Sequence, residues 1–161
     1  MRKRSSYRPK GVNPTAHIMA MLGAARLTTT DVLIRAERVH LSVAQVCNGT
    51  ATNDDWLQVF DAVNMAEQLI RAKLAAGRDL VDCLQDMIVA VLDRQRGTPS
   101  RALHQDEQHA LRDFAEDYVG LLSGVTQQQY MIAQRGVEDR IRRILSGERI
   151  PASIRVVEAI A

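Results

Sequence analysis

The chain has 161 residues and a net charge of +2, with 46% apolar, 25% charged and only 4% aromatic residues. These proportions exclude a disordered chain, and the length suits one hydrophobic core rather than two. No run of about 18 apolar residues occurs, which excludes an ordinary membrane-spanning helix.

The first ten residues hold Arg2, Lys3, Arg4, Arg8 and Lys10 and no acid, so this arm carries +5 while the remainder carries 16 basic against 19 acidic residues, or −3. Like charges at a terminus repel each other and bury nothing, which predicts an arm over 1–12 that stays apart from the core. No apolar run long enough for a signal peptide follows it, which predicts a cytoplasmic protein. Asn13 followed by Pro14 reads as a helix start, opening a short helix through Ala25 with Ile18, Met21 and Leu22 on it.

The run Thr28-Thr29-Thr30 caps a second helix that reaches Cys47 and stops at Asn48-Gly49, with Val32, Ala36, Val39, Val43 and Val46 as its buried stripe. Asn53 is the expected cap of the third, with Asp54 and Asp55 favoured by the macrodipole in its first turn and Gly77 just past its end. Its apolar face is Trp56, Val59, Phe60, Val63, Ala66, Ile70 and Leu74. The fourth runs from about Asp79 to Arg96, turning Leu80, Leu84, Met87, Ile88 and Val91 inward, and Gly97-Thr98-Pro99 ends it. The fifth spans about Gln105 to Leu122 and buries Leu111, Phe114, Ala115, Tyr118, Leu121 and Leu122. Thr126 with Gln129 forms a capping box for the sixth, which buries Tyr130, Val137, Ile141 and Ile144 and ends at Gly147. Residues 148–161 remain as a C-terminal tail. Short connections predict an all-α, up-down bundle of five or six helices over 13–147, preceded by the basic arm.

The arm string Lys3-Arg4-Ser5-Ser6-Tyr7-Arg8-Pro9-Lys10 resembles the opening of a group of small uncharacterised proteins encoded by tailed phages and prophages of proteobacteria, which continue as a helical domain of similar length. Val63-Asn64-Met65-Ala66-Glu67 resembles an Asn-x-x-Glu pattern in the same group. The resemblance implies a phage or prophage accessory protein in the host cytoplasm and transfers no catalytic residue.

Candidate chemistry is sparse. Glu37-x-x-His40 and Asp106-x-x-His109 have the one-turn spacing of di-metal carboxylate bundles, but His109 falls opposite Leu111, Phe114 and Tyr118, so no metal or other cofactor is expected. Cys47 and Cys83 lack any ligand or redox spacing and read as buried free thiols. No nucleophile with a base and no phosphate-binding loop is present, so the chain is not expected to be an enzyme. Glu67 is different, because it falls among Phe60, Val63, Ile70 and Leu74, where a carboxylate must be paired. It reads as a structural partner for an Arg, a His or a helix end, or else as a ligand contact shared with Asn64. Asp79, Asp82, Asp86 and Asp93 make an acidic stripe along one side of the fourth helix, either a solvated face or a docking strip for a basic partner or for the chain's own arm.

The arm itself supports two functions. A host or phage protein is the favoured partner. Nucleic acid is the alternative, with Arg2, Lys3, Arg4, Arg8 and Lys10 on phosphates and Tyr7 stacked on a base. Ile34 and Leu41, on the flank of the second helix away from its buried stripe, suggest a homodimer.

Overall fold

The computed structural model describes residues 23–73, 78–97 and 102–147. The arm, most of the helix expected from Asn13, and the tail beyond Gly147 lie outside the described residues. So do Leu74, Gly77, Thr98, Pro99 and the side chain of Ile144. Five helices follow one another: α1 (Thr29–Cys47), α2 (Asn53–Lys73), α3 (Arg78–Gly97), α4 (Gln105–Ser123) and α5 (Gln127–Leu145). The fold is an all-α bundle.

Capping chemistry sets the boundaries. The Asp31 amide donates to Thr28 Oγ1 at 3.1 Å, making Thr28 the N-cap of α1, and Asn48 with left-handed Gly49 (φ +72°) ends the helix. For α2 the cap lies one residue before the expected Asn53. The Thr52 amide donates to Asp55 Oδ2 at 2.8 Å and the Asp55 amide donates to Thr52 Oγ1 at 3.3 Å. That reciprocal box needs an acceptor three residues on, which Thr52 has in Asp55, so Asn53 becomes the first helical residue instead. The bond from the Thr52 amide, with the Thr52 hydroxyl donating to Asp55 Oδ2 at 2.7 Å and the Ser42 hydroxyl donating across from α1 at 3.3 Å, holds the Asp55 carboxyl below its ordinary range. The Thr126/Gln129 box of α5 is formed as expected, at 3.0 and 3.2 Å.

The centre of the bundle is α2. It packs on α1, α3 and α5 and touches α4. Trp56, Val59, Phe60, Ala62, Val63, Met65, Ala66 and Leu69 are all buried, so the helix is apolar on more than one side, as a helix with neighbours all round must be. On its outer side α1 packs on α4, while α3 and α4 barely meet.

Although only Gly124, Val125 and Thr126 separate α4 from α5, the two do not lie along one another. A two-residue antiparallel bridge pins the connection instead: the Leu27 amide donates to Val125 O at 3.1 Å and the Gln127 amide to Ala25 O at 2.9 Å. From there α5 crosses α2, and the small residues Ala133 and Gly136 permit the close approach. A Cβ at Gly136 would stand 3.0 Å from Gln68 Oε1.

Two residues expected in the core are not in it. Leu80 is 72% exposed, because the inward face of α3 looks into the space where α3 and α4 part. Ile141 is 38% exposed, on the lip of a cleft between α5 and its neighbours. Phe114, Leu121, Met87, Ile70 and Tyr130 are half-buried.

Candidate functional site

The gap between α3 and α4 is a groove of about 540 Å³. Ala66 and Ile70 of α2 form its floor, Leu80, Leu84 and Met87 of α3 one wall, and Ala110, Phe114 and Leu121 of α4 the other. Helical spacing explains the second wall. While Leu111, Ala115, Tyr118 and Leu122 face the core, Ala110, Phe114 and Leu121 form an additional stripe beside them, edged in turn by Asp106, Asp113 and Asp117. Among the described residues none of these three aspartates is in an ion pair, and all three are exposed. On α3, Asp79, Asp82, Asp86 and Asp93 run along the helix roughly a third of a turn or more from Leu80, Leu84 and Met87. The α3 aspartates do not line the groove, so the apolar trough is acidic along its α4 edge.

Glu107, at the head of the α4 wall, is already committed. The Arg94 guanidinium donates to it twice, at 2.8 and 2.7 Å, and the His104 amide donates at 2.7 Å. The Arg94 bonds, against a smaller opposing effect of burial, hold the Glu107 carboxyl below its ordinary range. A carboxyl more easily ionised in the folded state adds stability above its unfolded pKa, and that contribution is lost as pH falls through the folded value. Glu107→Gln should therefore lower the melting temperature at pH 7, and the gap from the parent protein should close as pH falls below about 4. Melts across pH 2.5 to 7 check this, and a gap that stays constant would contradict it.

Glu67 and Asn64 are buried, as expected of them. Glu67 is 2% exposed and joins three helices: Arg140 Nη1 of α5 is 2.6 Å from Oε2, Gln85 Nε2 of α3 donates to Oε2 at 3.2 Å, and Arg71 Nη2 is 2.5 Å from Oε1. These contacts are of the kind the structural reading of Glu67 requires. Arg140 and Gln85 are themselves buried and were not singled out from the sequence. Among the described residues, Asn64 Oδ1 and Gln85 Oε1 are buried with no hydrogen-bond partner.

A second, smaller cleft of about 270 Å³ lies among α1, α2 and α5. Arg35 covers the Tyr130 ring at 4.1 Å and its Nη1 donates to the Tyr130 hydroxyl at 2.8 Å. Burial pushes the Tyr118 hydroxyl up, and it pushes up the Asp61 carboxyl too, although much of the Asp61 residue remains exposed on the cleft surface. Arg35 and Arg38 balance Asp61 and Glu138 around this cleft, so it selects neither sign of charge.

The remaining expected features fall elsewhere. The arm residues Arg2, Lys3, Arg4, Tyr7, Arg8 and Lys10 lie outside the described residues. Glu37, His40 and His109 are exposed, and among the described residues no group of three or more His, Cys, Asp or Glu side chains gathers to hold a metal ion. Cys47 is buried, and burial raises its thiol pKa against the pull of Arg112. Cys83 is not buried: it is exposed on α3 and lines the groove, because its helical position follows Leu80 and Met87 toward the gap. Ile34 and Leu41 are exposed on α1, with Leu33 beside them. No described helix is long and apolar enough to cross a membrane. No protein-family model, curated protein or solved structure matches the chain.

Proposed function

We propose that the chain is a non-enzymatic phage or prophage accessory protein that acts in the cytoplasm of the bacterial host by binding another protein, and that the groove between α3 and α4 is where it binds. One observation carries this reading: an apolar trough is left open with a row of exposed carboxylates, Asp106, Asp113 and Asp117, along its α4 edge. An exposed apolar trough of this size is costly to leave in water and marks an interaction surface. Its shape fits a helix laid in a groove, and the acidic α4 edge selects a helix with Lys or Arg on the flank that faces it. The α4 wall from Asp106 to Leu121 is about 22 Å long, enough for a helix of about 15 residues. The likeness of the arm to phage and prophage proteins supports the accessory role.

The test uses a labelled amphipathic Leu/Lys peptide of about 18 residues and fluorescence anisotropy. Binding with Kd in the micromolar range is expected. Leu80→Asp and the pair Asp113→Lys/Asp117→Lys alter only exposed side chains, so both proteins should fold. Each should weaken binding by about tenfold or more. Equal binding by all three proteins would refute the groove. Tight, salt-steep binding of DNA or RNA that is lost on deleting residues 1–10 would favour the nucleic-acid function instead.

A further inference from the structure

We propose that the resident occupant of the groove is the chain's own N-terminal segment, residues 1–22, held there until a partner helix displaces it. This rests on the reading of the groove as a helix-binding site. Three observations support it.

The first is where the segment leaves the described fold. Gly23 lies against Gln128, and the bridge from Leu27 to Val125 fixes this part of the chain beside the end of α4. Leu121, in the last turn of α4, lines the groove at that same end, together with Ile70 near the end of α2 and Leu80 near the start of α3. The second is reach. Twenty-two residues precede Gly23. Ten of them in a helix cover about 15 Å, and twelve in extended chain cover up to about 40 Å, against a wall of about 22 Å.

The third is charge and pattern. Ile18, Met21 and Leu22 fall at helical spacing to fill an apolar trough, and the five cations Arg2, Lys3, Arg4, Arg8 and Lys10 precede them without an acid. The unpaired Asp106, Asp113 and Asp117 on the α4 ridge are their complement. The other terminal segment outside the described residues, 148–161, carries Glu148, Arg149, Arg155 and Glu158, whose charges cancel, so charge does not select it. A cationic segment seated this way competes with any cationic partner helix, which makes the arm an intramolecular brake on the site.

Cys83 is a natural reporter, since it is exposed and lines the groove while Cys47 is buried. The experiment measures the rate at which a bulky maleimide labels Cys83 in the intact chain, resolved from Cys47 by mass spectrometry. Two full-length variants are compared: one with Arg2, Lys3, Arg4, Arg8 and Lys10 all replaced by Gln, and one with Ile18→Asp and Leu22→Asp. The proposal predicts slow labelling in the intact chain and labelling about tenfold faster in each variant, as loss of several rim contacts implies. Equal rates in all three proteins would overturn it. So would protection that grows with protein concentration alongside a dimer in sedimentation, because the occupant would then be a second copy's arm. Adding the Leu/Lys peptide to the Gln variant separates the two claims. If the peptide slows Cys83 labelling while the intact chain labels as fast as the variants, the groove reading stands and this inference falls. If the peptide protects nothing, the groove reading fails and this inference falls with it.

Discussion

Replacing Glu67 by Gln should lower the stability of the fold by about 3 to 5 kcal/mol, because the change keeps the volume of the side chain and strands a buried guanidinium. Arg140 is almost fully buried and its ion-pair partner among the described residues is Glu67, at 2.6 Å. Arg140→Met should cost less, nearer to about 2 kcal/mol, since Glu67 would keep Gln85 and the more exposed Arg71. The double variant Glu67→Leu/Arg140→Met removes both charges and should lose less than the sum of the single changes, which a double-mutant cycle reads directly. In thermal melts a loss of this size lowers the midpoint by roughly 10 °C for a chain of this length. A Glu67→Gln protein that melts with the parent would show that the cluster does not join α2, α3 and α5. A large loss of binding without loss of stability would instead revive the ligand role for Glu67 and Asn64.

Phe60→Ala should cost about 3 to 5 kcal/mol for a different reason, the cavity left by a buried ring. Phe60 is 3% exposed on the central helix and lies 5.7 Å from the Trp56 ring at a tilt of 33°. Its surroundings belong to the helix with the most neighbours, so they have little freedom to collapse around the missing ring. Leu33→Ala on the exposed face of α1 is the control and should change stability by less than about 0.5 kcal/mol. Chemical denaturation resolves both, and a Phe60→Ala midpoint equal to that of the control would place the core elsewhere.

The fold was legible where a local rule governs it. Val32, Ala36, Val39, Val43 and Val46 are buried as their spacing requires, and the Thr126/Gln129 box starts α5 where its chemistry allows. Periodicity reports which face of a helix is apolar, but not whether a neighbour covers that face. Leu80 shows the difference, because it shares the apolar face of α3 with Leu84 and Ile88 yet stands exposed where no helix reaches it. Cys83, expected to be buried, is exposed for the same reason.

For the candidate site, the acidic stripe on α3 was visible in the sequence and the groove beside it was not. That groove depends on α3 and α4 parting and on α5 leaving α4 for α2, which are tertiary choices. The clue was the second stripe on α4, Ala110, Phe114 and Leu121 beside Asp106, Asp113 and Asp117. A helix with two apolar stripes has two surfaces to cover, and α1 with α2 covers only one of them. Glu67 was recognised as buried from its neighbours on α2, but its partner Arg140 is distant in sequence and could be found only in three dimensions.

We propose that the trough between α3 and α4 receives a cationic amphipathic helix. Methyl-resolved NMR of the full-length chain with its five arm cations replaced by Gln, titrated with the Leu/Lys peptide, tests it at the residues concerned. Saturable shifts are predicted for Ile70, Leu80, Leu84, Met87 and Leu121, while Leu33, Ile34 and Leu41 on α1 stay still. Shifts confined to α1, or none at peptide concentrations of several hundred micromolar, would contradict the account.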